Sequence, residues 1–271
     1  HIYYPAPLAP GGRGRGSDWV WDAFQRDPFA GNSMLATAER VAREAGFSRA
    51  QQDDITLLRY HQYQEALKDD AAFQRKYMAP VTLGPPERER RIAADEGVHA
   101  TTVEGLAKLA PVADGGTVTF GSQTHPADGN AGMIISSLAR QRELTRDNSV
   151  VIQLLSYAQH RVNMGTMPTA AVPAAAAALE RAGVGIGDCV AIKTHNPFAV
   201  NDLFFCREFA LEPEAFNRYG SPLIYGHPQA PTGMRLMIEL IEELVERGGG
   251  HGLFSGCAAG DTAMAVVLRV G

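Results

Sequence analysis

"GMRLMIELIEELVERGGGHGLFSGCAAGDTAMAVVLRV", residues 233–270, reads as an amphipathic helix, a glycine break and two strands joined by a tight turn. The apolar residues of 233–248 recur at helical spacing. The helix is expected to stop at Gly248, with Arg247 in its last turn, where a cation meets the negative end of the helix dipole. "HGLFSGC" and "TAMAVVLRV" are the strands and "GCAAGD" the turn. Upstream, "VVIQLLSYAQHRV" (150–162) reads as a strand, and "VPAAAAALERAGV" (172–184) as a helix with Pro173 near its first turn. "CVAIKT" (189–194) is a short buried strand and "NDLFFCREFAL" (201–211) a helix. The strands are apolar runs rather than clean alternations. A sheet covered by helices on both faces produces that pattern, so the reading is a layered α/β domain.

The 271 residues suffice for one large domain or two smaller ones, and 45% hydrophobic with 20% charged residues is an ordinary globular balance. A net charge of -5 disfavours a nucleic-acid or anionic-membrane surface, so neither partner is expected. The basic stretch "RKYMAPVTLGPPERERR" (75–91) is one place for a phosphorylated ligand. Cys189, Cys206 and Cys257 are too few and too scattered for a disulfide framework, which points to a reducing, cytoplasmic home. No CxxC or HExxH pattern occurs, so no metal site is expected. No signal-peptide pattern opens the sequence. The longest uncharged run, 162–179, contains Asn163, two threonines and two prolines, and reads as a loop entering a helix rather than a membrane span.

Residues 1–17 read as irregular. Met34, Leu35, Ala38, Val41 and Ala42 share one face of a helix over 33–46 that Gly46 stops. Ser48 and Gln51 have the spacing of a capping box for a helix over 48–69, whose partly apolar face carries Ile55, Leu58, His61, Gln62 and Glu65. Residues 78–100 read as loop, and 101–112 as a short helix capped by Thr101 or Thr102. Val118 and Phe120, then Met133–Ile135, suggest strand, glycine-rich loop and strand over 116–137. The first 115 residues resemble a helical cap rather than a sheet domain.

Three places carry reactive side chains at the ends of elements. His227 lies between Gly226 and Pro228 ahead of the last helix; it reads as a base or donor near neutral pH, or as a turn residue capping that helix. Cys257 ends a strand before Ala258, Ala259 and Gly260; it reads as an acid/base beside exposed backbone N–H groups, or as a small buried hydrophobe. His195 and Asn196 follow an apolar strand, where α/β sites form, or belong to a loop that bonds to itself. Thr124 and His125 occupy a glycine-rich loop, and Cys189 and Cys206 read as core residues.

Together these stretches resemble the thiolase family. "YGHPQAPTGMR" (225–235) is similar to the family's GHP segment, "CAAGD" (257–261) to its Cys-x-Gly-Gly-Gly turn, and "HNPFA" (195–199) to its Asn-Glu-Ala-Phe-Ala segment. "MLATAERVA" (34–42), "SRAQQDD" (48–54) and "TTVEGLAKLAPVADGGTVTFG" (101–121) resemble its loop domain and the approach to the last strand of its first half, in the same order. His195 stands where many members have Asn, Ala258-Ala259-Gly260-Asp261 replaces the glycine run, Ser33 stands for a common His before Met34, and "GSQT" (121–124) replaces Gly-Asn-Ala-Ser.

The resemblance implies a layered α-β-α-β-α fold with an incomplete first half: a loop domain over 1–115, the end of the N-terminal half over 116–147 and the C-terminal thiolase domain over 148–271. It implies acyl-CoA C-acyltransfer, by cleavage of a 3-oxoacyl-CoA or by Claisen condensation. His227, Cys257 and His195 would be catalytic, and Ala259, Gly260, Thr124 and Asn196 would meet substrate or oxyanion. A coenzyme A thioester is the substrate, with no tightly bound cofactor. The family's nucleophilic cysteine would lie upstream of His1, so the resemblance implies a partner polypeptide bearing it, in a dimer of such pairs. The competing reading is a non-catalytic thiolase-like structural or regulatory subunit. A hydrolase using His227 and Cys257 alone ranks low, because no G-x-S-x-G elbow or acidic triad partner is evident.

Overall fold

The structure, a computed structural model, describes residues 3–5, 16–18, 22, 24–145 and 147–271. β1 (Tyr3–Pro5) and β2 (Gly16–Asp18) pair antiparallel; the rest of the segment expected to be irregular lies outside the described residues. α1 (Met34–Ala45) starts where Ser33 Oγ accepts from Ala36 N–H and ends at left-handed Gly46. α2 (Arg49–Ala66) opens on the Ser48–Gln51 capping box. β3 (Val81–Leu83) and β4 (Arg90–Ile92) form an antiparallel hairpin where loop was expected. Three-residue, solvent-exposed strands are too short to show a hydrophobic period. Within the basic 75–91 stretch, Arg75 pairs with Asp70, Lys76 with Glu246 and Arg90 with Glu96.

α3 (Val103–Ala107) is capped by Thr102. The strands expected over 116–137 are absent; only isolated bridges such as Pro111–Thr119 and Gln123–Phe198 occur there. Val118 is buried, but Ile134 and Ile135 are 84% and 75% exposed, so this apolar run has no neighbouring strand among the described residues. α4 (Leu138–Leu144) follows.

The remaining elements build one sheet. β5 (Ile152–Arg161), α5 (Ala171–Ala182), β6 (Cys189–His195), α6 (Ala199–Phe209), the short α7 (Pro222–Tyr225), α8 (Thr232–Glu246), β7 (Gly250–Ala258) and β8 (Thr262–Val270) follow in chain order. The sheet order is β5-β8-β7-β6, with β6 and β7 parallel and the other pairs antiparallel. Because successive strand residues face opposite ways, Leu253 joins the core under α5 and α6 while Phe254 joins the core under α8. α8 contributes Leu236, Leu240 and Leu244, each fully buried and worth about 1.5–3 kcal/mol of apolar transfer. Gly252 makes that approach possible, since a Cβ there would lie 2.7 Å from Leu244 and 3.0 Å from Leu240. These helix–sheet–helix layers are the part of the layered α/β arrangement that positions the site.

α2 is locked to α6 by a buried ion pair, Arg59 Nε to Asp202 Oδ2 at 2.8 Å. Tyr63 and Phe205, from the aromatic stretches at 60–64 and 204–209, are core residues. No helix among the described residues is long and apolar enough to cross a membrane.

Candidate active site

β6 and β7 run parallel with His195 opposite Gly256, so both strands end together. Leu253, Ser255 and Cys257 alternate onto the α5/α6 side of the sheet, which brings the Cys257 thiol over the first turn of α6. His195 Nδ1 lies 3.1 Å from the Cys257 carbonyl oxygen and 3.8 Å from its Sγ. Asn201 Nδ2 lies 3.3 Å from the same sulfur.

His227 arrives from the other side. Gly226 before it has φ 93°, and a Cβ there would lie 2.8 Å from His125 Nε2 and 2.9 Å from Ala127 Cβ. Only glycine lets the chain run this close to the 125–127 segment. His227 N–H donates to His125 O at 2.9 Å, and His227 Nδ1 sits 2.7 Å from Thr232 Oγ1 at the start of α8. A hydroxyl can donate to that nitrogen or accept from it, so the ring keeps its partner in either tautomer. The His195 and His227 rings are 4.4 Å apart between centroids. The structure therefore brings His195, His227 and Cys257 into one cluster.

Burial sets the protonation of all three. It pushes His195 down to about 4, against the pull of the Cys257 carbonyl, and it holds His227 well below the usual imidazole range with His195 as the second cause. It pushes the Cys257 thiol up to about 12, opposed by the Asn201 hydrogen bond. Near neutral pH the cluster is a thiol beside two neutral imidazoles. The carbonyl acceptor keeps the His195 proton on Nδ1, leaving Nε2 as a lone pair that is buried with no partner. His195 Nε2 is thus an acceptor and not a direct donor to an oxyanion.

The other expected residues are placed differently. Asn196 is fully buried: its Nδ2 donates to Asp202 Oδ2 at 2.7 Å and its Oδ1 accepts from Leu223 N–H at 3.3 Å. Those contacts join β6 to α6 and α7 and engage both ends of the amide. Gly260 N–H donates to Asp27 Oδ2 at 2.6 Å, which takes that donor away from an oxyanion. Ala259, half-buried, keeps its place beside Cys257 in the turn. Thr124 Oγ1 donates to Pro222 O at 2.6 Å and its N–H to Pro197 O, holding the glycine-rich loop against the His195–Phe198 segment and α7. Asp261 Oδ2 accepts from Gly165 N–H at 2.8 Å. Sequence reasoning missed Asn201, Thr232 and Asp27. The first two were within reach, as polar residues in the first turns of helices that begin beside the site; Asp27 is 233 residues from its partner and gave no signal.

Residues 16–139 match the thiolase N-terminal domain and residues 148–270 the thiolase C-terminal domain. The chain belongs to the thiolase family. It is 30% identical to the Beta-ketothiolase BktB of Cupriavidus necator over 272 residues, covering 98% of this chain and 68% of that protein. The structure of the Bacillus anthracis acetyl-CoA acetyltransferase superposes with a TM-score of 0.87 at 27% identity, over 95% of this chain and 65% of that one. Human mitochondrial 3-ketoacyl-CoA thiolase in complex with CoA gives 0.83 at 27% identity, over 97% of this chain and 65% of that one. This thiolase-family chain spans 58% to 68% of the length of such curated relatives. Its three cysteines all fall within the C-terminal match, and the N-terminal match contains none.

Proposed function

We propose that this chain supplies the acid–base side of an acyl-CoA C-acyltransferase site, and that the cysteine to be acylated comes from polypeptide outside these 271 residues. The carrying observation is the cluster itself: a thiol within 3.8 Å of one imidazole, with a second imidazole ring 4.4 Å from the first. Thiolase-type chemistry forms a carbanion next to a thioester, which needs a positioned proton donor and acceptor and a place for negative charge. Cys257 exchanges the proton at the α-carbon. His227, with its switchable Thr232 partner, takes the proton of the incoming nucleophile. His195 Nε2 accepts from a water whose other hydrogen meets the enolate oxygen, and the Ala259 N–H faces the second oxyanion. The substrate is a coenzyme A thioester, and the assembly is a dimer of complementing pairs.

A second reading is favoured by the cysteine inventory and on that ground stands ahead of the first. Cys189 and Cys206 are pushed up to about 11 and about 12 by burial, and among the described residues no hydrogen bond links either to His195 or His227, so neither is set up as the nucleophile. On that reading the chain is a thiolase-like structural or regulatory subunit. Acyl-CoA exchange by the natively purified protein with whatever co-purifies decides between them. The catalytic reading expects Cys257→Ala and His227→Ala each to slow turnover by about 10²–10⁴-fold. Full activity in both variants overturns it and leaves the subunit reading.

A further inference from the structure

Cys257 is a poor acid as burial leaves it, and one neighbour is arranged to improve it. Asn201 is the third residue of α6, and its two amide groups are assigned by their surroundings. Phe198 N–H donates to Asn201 Oδ1 at 3.2 Å, so the oxygen faces that N–H and the NH₂ group faces Cys257 Sγ at 3.3 Å. The reversed amide would set NH₂ against an N–H donor. Asn201 is 4% exposed and Cys257 6%, so water does not compete well for either contact.

We infer that Asn201 is a positioning residue for proton transfer at Cys257: its fixed amide N–H holds the electron pair left on sulfur when the S–H bond breaks. In the forward step the Cys257 proton leaves to the carbon or sulfur anion of the substrate, and the S–H electron pair stays on Sγ. In the reverse step that pair takes a proton from the α-carbon. Asn201 Nδ2–H donates to sulfur throughout, and more strongly when sulfur carries the charge. His195 Nδ1–H, already committed to the Cys257 carbonyl at 3.1 Å, is the weaker helper at 3.8 Å. The amide also selects the neutral side chain, because Asp at this position would face the thiolate with like charge. This assignment rests on the proposed acid–base role of Cys257, but its test does not need turnover.

The test is Asn201→Asp, made with Cys189 and Cys206 replaced by Ser. Aspartate keeps an acceptor for Phe198 N–H and suits the first turn of a helix, so a purely capping role leaves this variant like the parent. The positioning role predicts the opposite for the thiol. Iodoacetamide alkylation of Cys257 at a fixed mildly alkaline pH, followed by mass spectrometry, is expected to slow by about tenfold or more, the equivalent of one pKa unit. Equal rates in the two proteins, with equal thermal unfolding, overturn the inference. Should Asn201→Asp fail to fold, Asn201→Ala is read instead, and an unchanged or faster alkylation rate counts against the proposal. Failure of the acyltransfer reading is seen separately, as full activity of Cys257→Ala, and leaves this titration as it was.

Discussion

His195 Nδ1 points at the Cys257 carbonyl oxygen, 3.1 Å away, and that one contact fixes which nitrogen of the ring carries the proton. The other nitrogen is buried without a partner. We therefore expect nitrogen NMR of the labelled protein near neutral pH to show a protonated Nδ1 and a bare Nε2 at His195, with titration only near about 4. A protonated Nε2 at neutral pH would remove the water-bridged role given to this residue.

The same burial makes stability depend on pH. His195 binds its proton at about 6.5 in the unfolded chain but only at about 4 when folded, so between those values the unfolded state holds more protons. Folding is then favoured above the unfolded value and loses stability as pH falls through the window. His227 is shifted in the same direction. The His195 share amounts to about 3 kcal/mol once the window is crossed. Urea unfolding on both sides of the window, for the parent and for His195→Asn, measures it. The variant should lose less stability on acidification, and parallel pH dependences would contradict the shift.

Arg59 and Asp202 are both fully buried, and the guanidinium also donates to Gln62 Oε1, Pro213 O and Phe216 O. Breaking such a pair from one side leaves an unmatched buried charge. Arg59→Met is expected to cost about 3–5 kcal/mol of folding stability, and Arg59→Met with Asp202→Leu less than the sum of the two single changes. Denaturant midpoints of the three variants test this, and strict additivity would show that the pair is not coupled.

Much of this architecture was legible because local rules agreed with the tertiary outcome. The Ser48–Gln51 box, Gly46 after α1 and the leucine face of α8 each announce an element whose packing then confirms it. His195, His227 and Cys257 were legible as residues at element ends, though their contacts were not. The misses have physical causes. Ile134 and Ile135 look like strand residues, yet a strand needs a neighbour to bond with, and none lies beside them among the described residues. Asn196 reads as a substrate or oxyanion contact because it follows an apolar strand, whereas in the fold the buried Asp202 carboxylate accepts from its amide. Asn201 was within reach as a polar residue in the first turn of a helix beside the site, but its spacing reads equally as a helix cap, and only the fold brings that cap over a thiol.

Asp27 carries a prediction that separates its two carboxylate oxygens. Oδ1 accepts from Phe29 N–H at 2.8 Å and Ala30 N–H at 2.7 Å, ordering its own loop, while Oδ2 accepts from Gly260 N–H in the turn after Cys257. The side chain is 1% exposed, so water does not replace these bonds when they are lost. Asp27→Asn offers one acceptor and one donor in place of two acceptors. Its oxygen serves the two local N–H groups better than the single distant one, so its NH₂ faces Gly260 and releases the turn. Asp27→Ala strands all three donors. Each change is expected to cost about 1–3 kcal/mol, with alanine at the upper end. Hydrogen exchange at the Gly260 amide gives the sharper reading: protection should fall in both variants, whereas the Phe29 and Ala30 amides should lose it only in Asp27→Ala. A Gly260 amide as protected in Asp27→Ala as in the parent would mean that the turn beside Cys257 is held by its own hairpin and not by Asp27.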